Sequence, residues 1–212
     1  MISLGMLLLA SGFIDSVKQF LFGTSPLEWF GVITGLLCVW LAAKNNIWNW
    51  PFAIASVLTY IFIFFESRLY ADMGLQVYLL LMNIYGWYYW SEQRKNPGEQ
   101  RPITQITPKE ILLSVLGVIL FTLILGFLLH KKTDASFPFV DSFCTATSII
   151  AQIFLARKVL QNWLIWVFVD IIYVIVYFSK ELYATGLMYA IYMAIALMGY
   201  IDWKKIYREQ AN

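Results

Sequence analysis

Charge is what this chain has least of. Of its 212 residues, 13% are Asp, Glu, Lys or Arg, about half the share found in an ordinary soluble domain. Hydrophobic residues make up 60%, so water is not the main solvent of the fold. The two cysteines, Cys38 and Cys144, sit in apolar runs without CxxC spacing or a neighbouring His, which leaves neither a disulfide framework nor a metal site. The single histidine, His130, stands beside Lys131 and Lys132 at a segment end, a place for an interfacial residue rather than a proton relay. HExxH, GxSxG, paired intramembrane Asp and GxxxxGK[ST] patterns are all missing. That argues against an intramembrane enzyme and against ATP hydrolysis within the chain. A net charge of +2, with the basic residues at segment ends, gives no footprint for nucleic acid. No metal and no cofactor are expected.

What the chain has in abundance is apolar runs long enough to cross a hydrocarbon core of about 30 Å, which takes roughly 20 residues. Apolar length and charged or Pro/Gly punctuation place spans over 28–44, 48–66, 70–90, 109–130, 138–157, 161–179 and 182–203. The expected fold is therefore all-α, integral to a lipid bilayer, with seven transmembrane helices. Residues 1–22 begin with an apolar run that lacks a basic n-region. They continue as a mixed stretch with Asp15, Lys18 and Gln19 among apolar residues, as in an interfacial amphipathic helix. Residues 91–108 form the one long polar connection and end in a Thr-Pro helix start, and 204–212 read as a tail. Alternating the loops puts ten Lys and Arg on one side and five on the other. The positive-inside rule then sets the C-terminus and the long loop in the cytoplasm and the N-terminus outside.

The sequence also repeats itself. A shift of 113 residues lays Asn49-Trp50 on Asn162-Trp163, Tyr60 on Tyr173, Gly86 on Gly199 and Trp90 on Trp203. Residues 28–90 are thus one three-helix repeat and 138–203 a second, with 109–130 as a linker helix. Because three spans reverse the chain and the linker reverses it again, the repeats are parallel, in a 3+1+3 order like that of full-length SWEET carriers.

Polar and aromatic groups in hydrocarbon single out the functional candidates, because an unsatisfied polar group there is costly and turns towards a partner or a cavity. Trp163, Trp166, Asp170, Tyr173 and Tyr177 share a helical arc of about 80°. Asp72, Gln76, Asn83 and Trp87 share about 60°, as do Thr145, Ser148 and Gln152; Asn49, Ser56 and Tyr60 add a looser stripe. A carboxylate beside stacked aromatics suits a flat cationic ring, and Gln76, Asn83 and Gln152 can donate to and accept from an amide or hydroxyl. Helix-to-helix bonding is the competing role for those amides. For Trp50, Trp87, Tyr88, Tyr89, Trp90 and Trp203, all at span ends, interfacial belts are the expectation. Gly31 and Gly35 form a GxxxG pair, a common device for close helix approach.

Several segments together resemble the Pnu vitamin transporters: Trp48-Asn49-Trp50-Pro51, Leu69-Tyr70-Ala71-Asp72, Leu75-Gln76-Val77, Asn83-Ile84-Tyr85-Gly86-Trp87-Tyr88 and Asn162-Trp163-Leu164-Ile165-Trp166. The resemblance covers residues 28–203. It implies the SWEET-type fold, a homotrimer with one pore per protomer, and facilitated diffusion of a vitamin that a separate cytoplasmic kinase traps by phosphorylation. The family's WxxW pair maps onto Trp163 and Trp166, and its pore Gln and Asn onto Gln76 and Asn83. Substrates within the family divide among nicotinamide riboside, thiamine and riboflavin. Asp170 favours the two that carry a quaternary ring nitrogen, with nicotinamide riboside the first expectation and thiamine the alternative. A sugar carrier, or a membrane protein that transports nothing, is the remaining reading. The setting implied is a bacterial inner membrane.

Overall fold

In the computed structural model the residues described are 12, 14–15, 17–19, 21–66, 68, 70–92, 102–132 and 137–210. Their long helices are α1 (Pro26–Ala43), α2 (Asn49–Glu66), α3 (Tyr70–Ser91), α4 (Pro108–Lys132), α5 (Pro138–Ala156), α6 (Asn162–Ser179) and α7 (Tyr183–Gln210). The expected spans fall on these helices with ends no more than two residues apart, except that α7 runs on to Gln210. Its last turns carry Lys204, Lys205 and Arg208, good helix formers that hydropathy alone cuts away. Six of the seven are long and apolar enough to cross a membrane; α3 is not among them, because Asp72, Gln76 and Asn83 dilute its apolar content. Of the expected interfacial helix, residues 1–11 lie outside the described residues, and 12, 14–15, 17–19 and 21–23 are helical.

Local chemistry sets the helix starts. Ser25 and Glu28 form a capping box ahead of α1, with Glu28 N donating to Ser25 Oγ at 3.2 Å and Ser25 N to Glu28 Oε2 at 2.7 Å. Thr107 and Glu110 do the same for α4, and Pro26, Pro108 and Pro138 occupy first helical positions, where the missing N–H costs nothing. Among the described residues, four that are not glycine turn the chain with positive φ: Asn45 (50°), Arg68 (58°), Lys158 (57°) and Glu181 (60°). They are two pairs, each 113 residues apart.

Packing follows a closed order. α1 lies against α2, α2 against α3, α3 against α5, α5 against α6, α6 against α7, and α7 against α1. α4 stands outside this ring, on α5, and its only buried residue is Gly126. Contacts between the two halves are α1 with α7 and α3 with α5, and these again are equivalent under the 113-residue shift.

At the end of the ring that carries the α1–α2 and α5–α6 turns, four indoles pack in a row. Trp50 meets Trp90 edge-on at 5.3 Å and 89°, Trp90 meets Trp203 at 5.9 Å, and Trp163 meets Trp203 at 5.5 Å and 87°. Trp50 and Trp203 are fully buried and Trp90 is 5% exposed, so these three are core and not belt residues. An indole at a span end reads the same from sequence whether it faces lipid headgroups or a neighbouring half. Trp90 Nε1 donates across to Ala156 O (3.0 Å) and Trp203 Nε1 to Ala42 O (3.1 Å). Glycine makes the close approach possible: a Cβ at Gly86 would run into the Trp50 ring, and one at Gly199 would stand 2.8 Å from the Trp163 ring. Trp87 and Tyr88 are exposed as a belt requires.

The same end carries ion pairs between Lys44 and Asp202 (2.8 Å) and between Arg157 and Glu110 (3.1 Å). It is also strapped. Thr104 N donates to Lys158 O (3.0 Å) and Leu160 N to Thr104 O (2.8 Å), while Ile103 N and Ile106 N donate to the side chains of Gln210 and Gln161. Ile103 is 1% exposed. The second part of the polar connection is therefore pinned to the second half, not free in solution.

Candidate functional site

The ring of six helices encloses a cavity of about 320 Å³, and each ring helix contributes to its wall. From α1 come Gly35, Cys38, Val39 and Ala42; from α2 Asn49, Trp50, Ala53, Ser56 and Val57; from α3 Leu79 and Asn83. The second half supplies Gln152 and Leu155 from α5, Trp163, Trp166 and Asp170 from α6, and Tyr189, Tyr192 and Ala196 from α7. The α4 helix supplies nothing.

Of the eight residues singled out from sequence, Trp163, Trp166, Asp170, Asn83, Gln152 and Asn49 lie on this wall. Tyr173 and Gln76 do not. Tyr173 points its ring at Tyr189, centroid to centroid 4.7 Å, and Gln76 is two helical turns from Asn83, beyond the reach of the cavity. In its place, at the position 113 residues on, Tyr189 occupies the wall. Sequence reasoning also passed over Tyr192, and it set Trp50 in an interfacial belt. The spacing of Gly86 and Gly199 from the two Asn-Trp pairs was the signal that two indoles were being accommodated.

Each wall residue has a definite environment. Asp170 is 4% exposed, and no cation among the described residues pairs with it. A lone carboxylate removed from water is strongly unfavourable unless something answers its charge. Gln152 Nε2 donates to Asn83 Oδ1 at 2.9 Å, a buried bond between α5 and α3 that joins the two halves. Asn49 Nδ2 donates to Asn46 O and Asn162 Nδ2 to Val159 O, both at 2.7 Å. Asn49 Oδ1, Trp50 Nε1, Asn162 Oδ1 and Trp163 Nε1 are buried without partners. Buried polar atoms are ordinarily satisfied; three of these four belong to wall residues, and Asn162 lies off the wall. Trp166 is partly buried on the core cluster. Among the described residues no group of His, Cys, Asp and Glu is arranged to hold a metal ion.

Paired positions on the wall differ in chemistry. The first half presents Val39, Ala53, Val57 and Leu79, where the second half presents Gln152, Trp166, Asp170 and Tyr192. At these four positions the first half is apolar and the second aromatic or polar, so the wall is asymmetric, a division suited to holding a small flat ligand with a polar periphery.

A ring of long helices, most of them apolar enough to span a bilayer, around a cavity lined in part by aromatic residues defines a polytopic membrane protein. The chain belongs to the nicotinamide mononucleotide transporter family, whose model matches residues 25–205, a family of transporters and not of enzymes. It is 34% identical over 212 residues to the nicotinamide riboside transporter PnuC of Escherichia coli, covering 89% of each chain. It is 26% identical over 175 residues to the riboflavin/roseoflavin transporter RibM of Streptomyces davaonensis, covering 82% of each. The crystal structure of the vitamin B3 transporter PnuC shares the fold, with a TM-score of 0.69, 24% identity and coverage of 95% of this chain and 90% of that one.

Proposed function

We propose that this protein is a facilitated-diffusion uniporter for a vitamin with a cationic aromatic ring, nicotinamide riboside in the first place and thiamine as the alternative. The observation that carries this reading is Asp170, a buried carboxylate without a cationic partner, on the wall of a cavity lined by Trp163, Trp166, Tyr189 and Tyr192. A quaternary ring nitrogen answers both features at once, through Coulomb attraction and through the aromatic faces. It also separates this ligand class from riboflavin, whose ring is uncharged, although a relative carries riboflavin in its name. Asn83, Gln152 and Asn49 would bind the amide and hydroxyl groups, with Trp163 and Trp166 against the ring.

The reading extends to architecture. Seven spans in a 3+1+3 order of parallel repeats would rock as two three-helix bundles around the site, preceded by an interfacial N-terminal helix. Support comes from the equivalent positive-φ turns, the equivalent Gly–Trp contacts and the equivalent contacts between halves. The protein would work as a homotrimer in a bacterial inner membrane, N-terminus out and C-terminus in. Net uptake would be driven by a separate cytoplasmic kinase that phosphorylates the vitamin.

Titration calorimetry on the detergent-solubilised protein tests the site, with nicotinamide riboside and thiamine in parallel and nicotinamide mononucleotide as control. Binding of a cationic vitamin is expected, weakened at least roughly tenfold in Asp170→Asn, since a desolvated charge pair is worth more than about 1.4 kcal/mol. Binding that is unchanged in Asp170→Asn would overturn the role of the carboxylate. Thiamine binding alone would move the substrate and keep the site.

A further inference from the structure

Tyr189, on the cavity wall, packs on other tyrosines from two helices: edge-on against Tyr192 of its own helix at 6.1 Å and 66°, and against two rings of α6. It packs against Tyr173 at 4.7 Å and 34° and lies parallel to Tyr177 at 5.3 Å and 8°. Tyr173 and Tyr177, one turn apart on α6, are themselves 5.9 Å apart. Of Tyr173, Tyr177 and Tyr189 only the last lines the cavity, where Asp170 stands one helical turn before Tyr173. The first half has no such arrangement: Tyr60, equivalent to Tyr173, packs on Phe64 of its own helix, and the position equivalent to Tyr189 is Gln76, off the wall.

Resting on the reading of the cavity as a site for a cationic ring, we propose that Tyr189 contacts that ring, and that Tyr173 and Tyr177 are positioning residues that act through it. Two rings buttressing a third fix its plane before a ligand arrives, so little side-chain freedom is lost on binding. A tyrosine face beside a buried carboxylate offers a cation–π contact in a desolvated place, where that contact is strongest. The stripe on α6 that points to Tyr173 from sequence thus supports the site from behind.

A double-mutant cycle on dissociation constants separates contact from positioning. The ligand is whichever cationic vitamin the wild type binds, with calorimetric stoichiometry reporting the folded fraction. Tyr189→Phe keeps the π face and is expected to bind within about threefold of wild type, whereas Tyr189→Leu weakens binding roughly 10- to 30-fold. Tyr173→Leu alone weakens it less, and the Tyr173→Leu/Tyr189→Leu double variant is no weaker than Tyr189→Leu. Additive losses would place Tyr173 on the ligand itself and overturn the assignment, as would unchanged binding in Tyr189→Leu. If Tyr189→Leu does not fold, Tyr189→Met keeps the volume without the π face and answers the same question. A wild type that binds no cationic ring would remove the reading of the site and this inference with it. Wild-type binding that is indifferent to Tyr189 removes the inference alone.

Discussion

The two halves of this protein share a skeleton and differ in chemistry. Asn49 and Asn162 cap the same turn in the same way. Asn45 and Lys158 share a left-handed backbone, as do Arg68 and Glu181. Trp50 and Trp163 each press on a glycine of the last helix of their half. Along the cavity the likeness weakens: beside the shared Trp50 and Trp163, the places of Val39, Ala53, Val57 and Leu79 are taken in the second half by Gln152, Trp166, Asp170 and Tyr192, and only Asn83 against Ala196 runs the other way. What is kept in duplicate is what the ring of helices needs to close. What differs is what a ligand would touch.

The largest expected effect tests the duplicated part. Trp90 and Trp203 each bury an indole and send one hydrogen bond to the opposite half. Truncation to Ala should therefore cost about 3–5 kcal/mol at either position, with matching losses of thermal stability in detergent. Trp87→Ala, on the exposed side of α3, should change stability by less than about 0.5 kcal/mol. Unequal losses at Trp90 and Trp203 would break the equivalence of the halves.

A smaller effect tests the part that diverged. Asn83 and Gln152 form a buried bond, and Asn83→Ala leaves the Gln152 amide without its partner, at a cost of about 1–3 kcal/mol. Adding Gln152→Val turns the pair into a copy of Val39 and Ala196, the residues at the equivalent positions of α1 and α7. Stability should return towards wild type in the double variant while vitamin binding stays lost. Recovery of both would show that the pair is structural and has no part in the site.

Much of this was legible in the sequence because hydrocarbon imposes simple demands. Span ends follow apolar length, and the repeat is visible in Asn-Trp, Gly and Trp positions. The polar stripe on α6 led to Trp163, Trp166 and Asp170 because a charge inside a bundle has few places to go. The failures share one cause, that a residue type does not say what it faces. Trp50, Trp90 and Trp203 are indoles at span ends, compatible with lipid headgroups or with each other. Gln76 is on the same helical face as Asn83, but the cavity ends before it. Tyr189 and Tyr192 were hidden by the abundance of tyrosine, which makes one more aromatic on a helix uninformative until its neighbours are known. The strap was hidden because Ile103, Thr104 and Ile106 stand in a polar stretch, and their partners, Gln210, Lys158 and Gln161, are far along the chain.

The smallest expected effect concerns the one turn where equivalence is strained. Asn45 suits positive φ, because its short polar side chain tolerates the left-handed region, whereas a lysine does not gain from it. Lys158 nevertheless sits there, 5% exposed, with Nζ 4.4 Å from the centre of the Trp90 ring. Burial pushes its ammonium down from the ordinary 10.5 to about 8. The unfolded chain therefore binds more protons than the folded one between those two values, and stability should rise with pH across that window. Lys158→Asn copies the first half, removing the titration along with the unfavourable backbone choice, and forgoes the contact with Trp90. Melting temperature measured from pH 7 to pH 10.5 should then climb in the wild type relative to the variant above about pH 8. A constant difference would mean that the Trp90 face already stabilises the ammonium as well as water does.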